Sequence, residues 1–206
     1  MRILAHRGLW SAPEEKNTLT SFSRAFENGF GIETDVRDYC GKLVVSHDIA
    51  TEQSEPFAKV LDIYNQFNSN EILAVNIKAD GIQNLLSRDL QNYSIDNYFV
   101  FDMSIPEQVV YHKQNFNVYT RMSEYETHPV LEEKSEGIWM DEWEKSWIAA
   151  SIIEKYLLSN KKVSVISPEI HGRDKTHIWK QLKQFKDNEN VLLCTDVPLE
   201  AKEYFV

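Results

Sequence analysis

The chain has 206 residues, of which 42% are hydrophobic and 12% aromatic, and its formal net charge at pH 7 is −10. This length suits one well-buried core, so we predict a single domain over residues 1–206. The acidic balance excludes a protein that follows nucleic-acid phosphates with a basic face, although a local cation or metal can still bind a small anionic substrate.

The cysteines and the hydropathy of the chain indicate the cellular compartment of the protein. Cys40 and Cys194 are far apart and match no metal-ligand spacing, which predicts two free thiols in a reducing compartment. The N-terminus leaves no room for a cleavable apolar segment before His6, and no apolar run approaches the ~20 residues needed to span a bilayer. We therefore expect a soluble, cytoplasmic protein with no stable membrane insertion.

The first quarter of the chain predicts a strand, a helix and a hairpin. Residues 2–6 form a short apolar run that ends at His6. Asn17 and Thr18 can cap a helix that stops at Gly29. A second strand covers 32–37, and residues 41–45 follow as the return arm of a hairpin that carries His47 back toward the second strand.

The alternation of strand and helix continues to the end of the chain. Further apolar runs predict strands at 72–78, 98–102, 117–121, 137–142, 163–167 and 191–195, with helical spacing between them and a weaker helical stretch near 129–134. Without the hairpin arm there are eight strands, each followed by a helical segment. This pattern predicts an α/β fold, a (β/α)₈ TIM barrel with a small β-hairpin insertion after strand 2. An open doubly wound sheet is the alternative, but no glycine fingerprint follows the first strand.

Polar side chains gather where the predicted strands end. Glu33 and Asp35 are two residues apart on a strand, so both point to one face, and two carboxylates suit Mg²⁺ or Ca²⁺ better than zinc. On spacing alone, a solvent-facing pair explains them better, and a lone histidine is also a weak signal. What predicts a site is the conjunction of this pair with His6 and His47 at one rim of a barrel.

These residues resemble the glycerophosphodiester phosphodiesterase family, within the wider group of barrel phosphodiesterases. The matching motifs are His6-Arg7-Gly8, Asn17-Thr18 with the helix that follows, and residues 29–35, 41–48 and 195–198. The first four motifs fall in roughly the first quarter of the chain, and their order and spacing are hard to reach by chance. Beyond that quarter, the resemblance depends on the strand count and the last strand.

The resemblance implies a role for each matching residue. Glu33 and Asp35 would bind a divalent metal, Mg²⁺ or Ca²⁺. His6 and His47 would act as general acid and base, and Arg7 and Lys78 would neutralise the substrate phosphate. Which histidine is the acid stays open. So does the nucleophile, which is either water or a neighbouring substrate hydroxyl that yields a cyclic phosphate.

One position departs from the family. The family usually has a glutamate as third metal ligand two residues before the strand-three lysine, and this chain has Asn76 there. We expect the amide oxygen of Asn76 to act as the third ligand, with weaker metal affinity because it carries no charge. The alternatives are that Asp141, Glu142 or Glu169 supplies the missing charge, or that the site has lost its metal.

The other polar residues at the predicted strand ends are candidates for contact with the substrate. Asp102, Arg121, Asp141, Glu142, Glu169 and His171 are candidates to contact its alcohol group, whereas Trp139, Trp143, Trp147 and Trp179 are predicted to pack in the core and against helices. Short loops after strand two predict an open site for a small soluble phosphodiester. The alternative function is a barrel that binds a phosphorylated metabolite or sugar phosphate without turning it over. The sequence does not indicate an oligomeric state.

Overall fold

The computed structural model describes residues 1–67 and 69–205, and within them ten β-strands alternate with seven α-helices. The strands are β1 (Arg2–His6), β2 (Gly31–Tyr39), β3 (Lys42–Val45), β4 (Glu55–Pro56), β5 (Leu73–Ile77), β6 (Tyr98–Phe101), β7 (Tyr119–Met122), β8 (Gly137–Met140), β9 (Lys162–Ile166) and β10 (Val191–Thr195). The helices are α1 (Leu19–Glu27), α2 (Phe57–Gln66), α3 (Gln83–Asn92), α4 (Ile105–Lys113), α5 (Ala150–Leu158), α6 (Thr176–Leu182) and α7 (Pro198–Tyr204).

Eight parallel strands follow one another in the ring order β1, β2, β5, β6, β7, β8, β9, β10. The first strand pairs with both β2 and β10, so the two ends of the strand series meet. Between β6 and β7 the pairing is reduced to a parallel bridge from Val100 to Val118, with the Val100 amide donating to the Asn117 carbonyl at 2.8 Å. The ring closes at this bridge, as the predicted barrel requires.

The predicted hairpin follows the second barrel strand. β2 runs on past the barrel and turns through Cys40 and Gly41, whose φ angles are 49° and 76°. Two successive positive φ angles suit the tight turn that antiparallel strands prefer. β3 then pairs antiparallel with β2, with Val45 opposite Val36, and β4 adds a short third strand. The return arm of the hairpin therefore ends beside Asp35 and Val36, where β2 leaves the barrel.

The weak helical stretch predicted near 129–134 is present only in part. Every barrel strand except β7 is followed by an α-helix, but between β7 and β8 the described residues contain only the 3₁₀ turn Glu132–Lys134. Leu131, immediately before this turn, has left-handed dihedrals (φ 56°, ψ 35°). Left-handed dihedrals do not continue a right-handed helix, so the helical turn in this segment is confined to residues 132–134.

Aromatic side chains fill the inside of the barrel. Phe99 stacks on Tyr119 and Phe101 stacks on Trp139, each with ring centroids 3.8 Å apart. These rings belong to a buried cluster with Leu4, Ile72, Ala74, Ile166, Leu192 and Cys194. Two larger apolar clusters lie in the two halves of the chain, where helices pack on strands. The barrel is therefore solid, and space for a ligand exists only beyond the ends of its strands.

The structure also bears on two expectations about the cysteines and about membrane-spanning segments. Cys40 is exposed and Cys194 is buried, and neither forms a disulfide in the part of the chain that the structure describes, as predicted. None of the helices within residues 1–67 and 69–205 combines the length and the apolar character needed to cross a membrane.

Candidate active site

A cavity of about 350 Å³ opens at the carboxyl ends of the barrel strands. It is lined by six of the seven residues that the sequence predicts for the site, namely His6, Arg7, Glu33, His47, Asn76 and Lys78. The seventh, Asp35, is fully buried and forms ion pairs with two of those six. The fold thus brings all seven together from β1, β2, β5 and the hairpin.

A sharp turn after β1 positions the first of these residues. Arg7 and Gly8 have φ angles of 57° and 89°. A Cβ on Gly8 would lie 2.4 Å from the hydroxyl oxygen of Ser21, at the start of α1. That hydroxyl donates to the Arg7 carbonyl at 3.1 Å, and the Thr18 side chain accepts from the Ser21 amide as the helix cap. Glycine is required here because the helix approaches the backbone so closely.

His6 is oriented by a carboxylate from the last barrel strand. Its Nδ1 atom lies 2.5 Å from Oδ1 of Asp196, which follows β10, and its Nε2 atom lies 3.9 Å from Oε2 of Glu33. Lys16 donates to the other oxygen of Asp196 at 3.1 Å. Burial by itself would raise the pKa of Asp196, but the hydrogen bonds with His6 and Lys16 outweigh it and lower that pKa overall. Asp196 is therefore a carboxylate at neutral pH.

Glu33, Asp35 and Asn76 bring side-chain oxygens to the same part of the site. Asp35 on β2 is the register partner of Asn76 on β5, and Glu33 lies two residues earlier on the same face. The Asn76 amide donates to Glu33 Oε1 at 3.2 Å. Burial raises the pKa of Glu33 to about 7, the charge of Asp35 adds to this rise, and nearby basic side chains oppose it.

Cationic and amide groups surround Asp35. Arg7 Nε lies 3.0 Å from Oδ2 of Asp35, and Lys78 Nζ lies 3.4 Å from Oδ1. The Asn17 amide also donates to Oδ2 at 2.8 Å. Lys78 further contacts Asp102 at 3.2 Å. The two cations predicted to neutralise phosphate thus already stand at the edge of the carboxylate group, on the wall of the cavity.

The hairpin delivers the second histidine to the cavity. His47 is half exposed, and its Nδ1 atom lies 2.8 Å from Oδ1 of Asp48. The Arg37 guanidinium donates to the carbonyls of His47 and Lys78, at 3.3 and 3.2 Å. This guanidinium ties the end of the hairpin to the end of β5. His47 therefore joins His6 in one cavity, with more contact to solvent.

The oxygens of this group fit a hard divalent cation. Glu33 Oε2, Asp35 Oδ1 and Asn76 Oδ1 are buried and accept no hydrogen bond from any described residue, although Lys78 forms an ion pair with Asp35. The His, Cys, Asp and Glu side chains of the described residues form no group of three that could hold a metal alone. Glu33, Asp35 and the amide oxygen of Asn76 are therefore the groups that would hold a metal at this position.

The predicted rim residues separate into two sets. Asp102, Arg121, Asp141 and His171 line the cavity. Glu142 and Glu169 are not among its lining residues and instead bond to nearby loops. Glu142 Oε1 accepts from the amides of residues 147 and 148, and Glu169 Oε1 accepts from the Thr195 hydroxyl and the Asp196 amide. Asp141, which does line the cavity, accepts from Trp143 at one oxygen and lies 2.7 Å from His171 at the other.

Sequence reasoning missed the positions of three side chains in or beside the cavity. Lys16 lines the cavity and pairs with Asp196, 180 residues away, so no local pattern could have revealed it. Asn17 was expected only to cap α1, but it binds Asp35. Trp143 was expected to pack in the interior, but it is 50% exposed and lines the cavity mouth. Its position following a predicted strand end was the one available signal.

No protein-family model and no curated protein matches the chain. Solved structures match the chain over almost its whole length. A candidate glycerophosphodiester phosphodiesterase from Galdieria sulphuraria is 17% identical, with a TM-score of 0.80 over 99% of this chain and 97% of the other. A phosphodiesterase from Oleispira antarctica, in complex with the product sn-glycerol-3-phosphate, is 14% identical, with a TM-score of 0.73 over 99% and 96%. A glycerophosphodiester phosphodiesterase from Parabacteroides distasonis is 14% identical, with a TM-score of 0.69 over 99% and 96%.

These similarities define the class of fold. The chain is an α/β barrel, with the helix after β7 replaced by a short turn and a hairpin extending β2. It has the fold of the glycerophosphodiester phosphodiesterases, as its first-quarter motifs predicted. The predicted TIM barrel is thereby confirmed.

Proposed function

We propose that this protein is a divalent-metal-supported phosphodiesterase that hydrolyses a small glycerophosphodiester-like substrate, with His6 and His47 as its general acid and base. The observation that carries the proposal is the position of His6, which is ordered by Asp196 and lies beside Glu33 in the cavity. The shared fold supports the same chemistry.

Each histidine is paired with a carboxylate at Nδ1, and the pair at His6 is buried whereas the pair at His47 is exposed. With Nδ1 of His6 bonded to Asp196, the lone pair of the neutral ring is at Nε2. Asp48 bonds Nδ1 of His47 and leaves the corresponding nitrogen available there. One histidine takes the proton of the attacking water, and the other gives a proton to the leaving alkoxide. Each neighbouring carboxylate stabilises the ring when it carries the positive charge.

Arg7 and Lys78 would bind the substrate phosphate. Both line the cavity, and both contact Asp35, which keeps them extended toward the carboxyl ends of β2 and β5. A phosphodiester repels a nucleophile through its charged oxygens, so fixed cations lower that repulsion as the nucleophile arrives.

Glu33, Asp35 and Asn76 would hold the metal, Mg²⁺ or Ca²⁺. When bound, it supplies Lewis-acid stabilisation of charge on the phosphate oxygens. Because Asn76 is neutral, affinity below that of a three-carboxylate site is expected. Glu33 also lies 3.9 Å from His6, so the residues that would hold the metal and the proposed acid–base residue share one end of the cavity.

The substrate is expected to be a small molecule. The Oleispira antarctica structure contains sn-glycerol-3-phosphate as product, and we infer that the corresponding half of the substrate here is a glycerol phosphate. The net charge of −10 disfavours nucleic acid as a partner.

The proposal is tested by a screen of soluble phosphodiesters with Mg²⁺, with Ca²⁺ and with a chelator. We expect metal-stimulated release of a phosphomonoester by the wild type, and a loss of at least about 100-fold in kcat in His6→Ala and in His47→Ala. Far-ultraviolet circular dichroism establishes that each variant is folded. Full activity in both folded variants would exclude the histidine mechanism.

A non-catalytic binding protein is the second candidate. The neutral Asn76 favours it, because this position lowers the charge available to a metal. Calorimetric titration with Mg²⁺ and Ca²⁺ discriminates between the two functions. Binding of inorganic phosphate without metal binding, together with no turnover in the screen, would support the binding protein.

A further inference from the structure

Arg37 lies on the same face of β2 as two of the proposed metal ligands. Side chains alternate along a strand, and Arg37 follows Glu33 and Asp35 at spacings of two. β2 pairs with β5 as far as Val36 and with β3 from Val36 onward. Arg37 therefore stands where β5 ends on one edge of β2 and the hairpin begins on the other.

The guanidinium of Arg37 bonds to both of these neighbours. The amides of Ser46 and Lys78 donate to carbonyls of β2, at 3.0 and 2.9 Å, and so attach the hairpin and β5 to opposite edges of that strand. The carbonyls of His47 and Lys78 lie one step further out. Nη2 of Arg37 donates to both of them, at 3.3 and 3.2 Å. One side chain thus joins the main chain of a proposed acid–base residue to that of a proposed phosphate ligand.

The contacts of Arg37 differ from those of the other site cations. Within residues 1–67 and 69–205, its hydrogen bonds are to backbone carbonyls rather than to a carboxylate. Acidic partners hold the four lysine and arginine side chains that line the cavity, namely Arg7, Lys16, Lys78 and Arg121. Arg37 itself does not line the cavity. It therefore acts on the position of its neighbours and not on a bound substrate.

From these contacts we propose that Arg37 is a positioning residue, which sets the distance between His47 and Lys78 by donating to the main chain of both. The inference rests on the proposed phosphodiesterase function, because it concerns the geometry of that same site. Lys78 directly follows a barrel strand, whereas His47 is half exposed at the end of the hairpin. The guanidinium connects the second to the first. A misplacement of about 1 Å can lower a rate about 100-fold, so this link affects turnover.

Steady-state kinetics of Arg37 variants test the link. Arg37→Ala should lower kcat about 10- to 100-fold with a smaller change in KM, because the removed group does not line the cavity. Guanidinium chloride at a millimolar, non-denaturing concentration should restore part of this kcat. Arg37→Lys keeps the charge without the planar fork of donors, so it should keep part of the activity.

Leu43→Ala is the matched control on the same hairpin. Leu43 is buried in the apolar cluster where helices pack on the strands, so its truncation weakens the hairpin without removing the guanidinium. Leu43→Ala should lower Tm but keep kcat close to the wild-type value, and added guanidinium should not change it.

Two kinetic outcomes would overturn the proposal. A kcat of Arg37→Ala equal to that of the wild type would mean that the link has no part in turnover. A loss of kcat that matches the loss in Leu43→Ala at equal Tm, and that guanidinium does not restore, would leave Arg37 with a role in hairpin stability alone.

Amide hydrogen exchange, followed by NMR without substrate, separates this proposal from the proposed function. In Arg37→Ala the amides of Ser46 and Lys78 should both exchange faster than in the wild type, because the link holds the hairpin and β5 together. In Leu43→Ala the faster exchange should be confined to the hairpin. Faster exchange at both amides in a protein that hydrolyses no diester would keep the link and reject the phosphodiesterase. Unchanged exchange at both would reject the link even in an active enzyme.

Discussion

The Nδ1 atom of His6 lies 2.5 Å from the carboxylate of Asp196, and the other oxygen of that carboxylate accepts a hydrogen bond from Lys16. We predict that Asp196→Asn lowers kcat about 10- to 100-fold with a smaller change in KM, because an amide no longer stabilises the imidazolium. Steady-state kinetics on a soluble diester measure both parameters.

Lys16 provides the matched control for this prediction. Lys16→Gln keeps the bond between Asp196 and His6 and removes only the outer partner, so its effect on kcat should be several-fold smaller. Equal kcat in Asp196→Asn and the wild type would mean that this carboxylate has no part in positioning His6.

Replacing Asn76 by glutamate tests the metal site. Asn76→Glu should strengthen Mg²⁺ or Ca²⁺ binding by about tenfold, because it adds a charged ligand beside Glu33 and Asp35. Without metal the same variant should unfold more readily, by about 1–3 kcal/mol, because it buries a third carboxylate. Calorimetric titration and urea unfolding, each with and without chelator, measure the two effects.

Asn76→Ala is the control for the glutamate variant. It removes both the amide oxygen and the donor to Glu33, so metal affinity should fall below that of the wild type. Unchanged affinity in both variants would show that position 76 contributes no ligand.

At Gly8, which follows Arg7, an added side chain would meet both backbone strain and a steric clash. Gly8→Ala should destabilise the protein by about 2–5 kcal/mol and reduce activity, because a left-handed φ and contact with Ser21 both oppose a side chain. Gly29 also has a left-handed φ, 72°, but its Cβ would meet nothing within 4 Å.

Gly29→Ala therefore tests the backbone strain alone. It should lower the free energy of unfolding by about 1–2 kcal/mol with little loss of activity. Urea unfolding monitored by tryptophan fluorescence compares the two variants. Equal destabilisation would mean that Ser21 moves away without cost.

The pKa values of two histidines are shifted in opposite directions, which predicts opposite dependences of stability on pH. The hydrogen bond with Asp141 raises the pKa of His171 above its usual value. The stability that this pair contributes is fully present below the pKa of the unfolded histidine, about 6.5, and is lost as pH rises through the folded value. The advantage of wild type over His171→Gln should therefore shrink from pH 6 to pH 8.5.

His112 is the control of opposite sign. Burial, followed by the charge of Lys134, lowers the pKa of His112. Protons then bind the unfolded chain more readily, so the wild type should lose stability relative to His112→Gln as pH falls below about 6.5. Urea unfolding of the three proteins at several pH values checks both signs. A difference for His171 that grows with pH would contradict the first.

Periodicity of apolar residues was sufficient to predict the barrel and its hairpin. Buried strands such as β5 and β10 are short continuous apolar runs, and helices such as α1 carry a cap and a terminating glycine. The missing helix after β7 was not predictable in this way, because the left-handed conformation of Leu131 depends on the loop around it rather than on its own preference.

The candidate site likewise contains contacts that follow from the sequence and contacts that depend on the fold. Glu33 and Asp35 share a face because strands alternate, so their proximity follows from the sequence. The pairing of His6 with Asp196 joins strands at opposite ends of the chain and depends on ring closure. The exposure of Trp143 depends on its bonds to Asp141 and Glu124, which no periodicity encodes.

Phosphorus NMR of the purified protein with a glycerophosphodiester and Mg²⁺ or Ca²⁺ tests the central claim most directly. The account predicts that the diester resonance is replaced by that of a phosphomonoester in the wild type, and that it persists in folded His6→Ala. A diester that stays intact with wild-type protein and every metal, or that disappears at the same rate in His6→Ala, would contradict it.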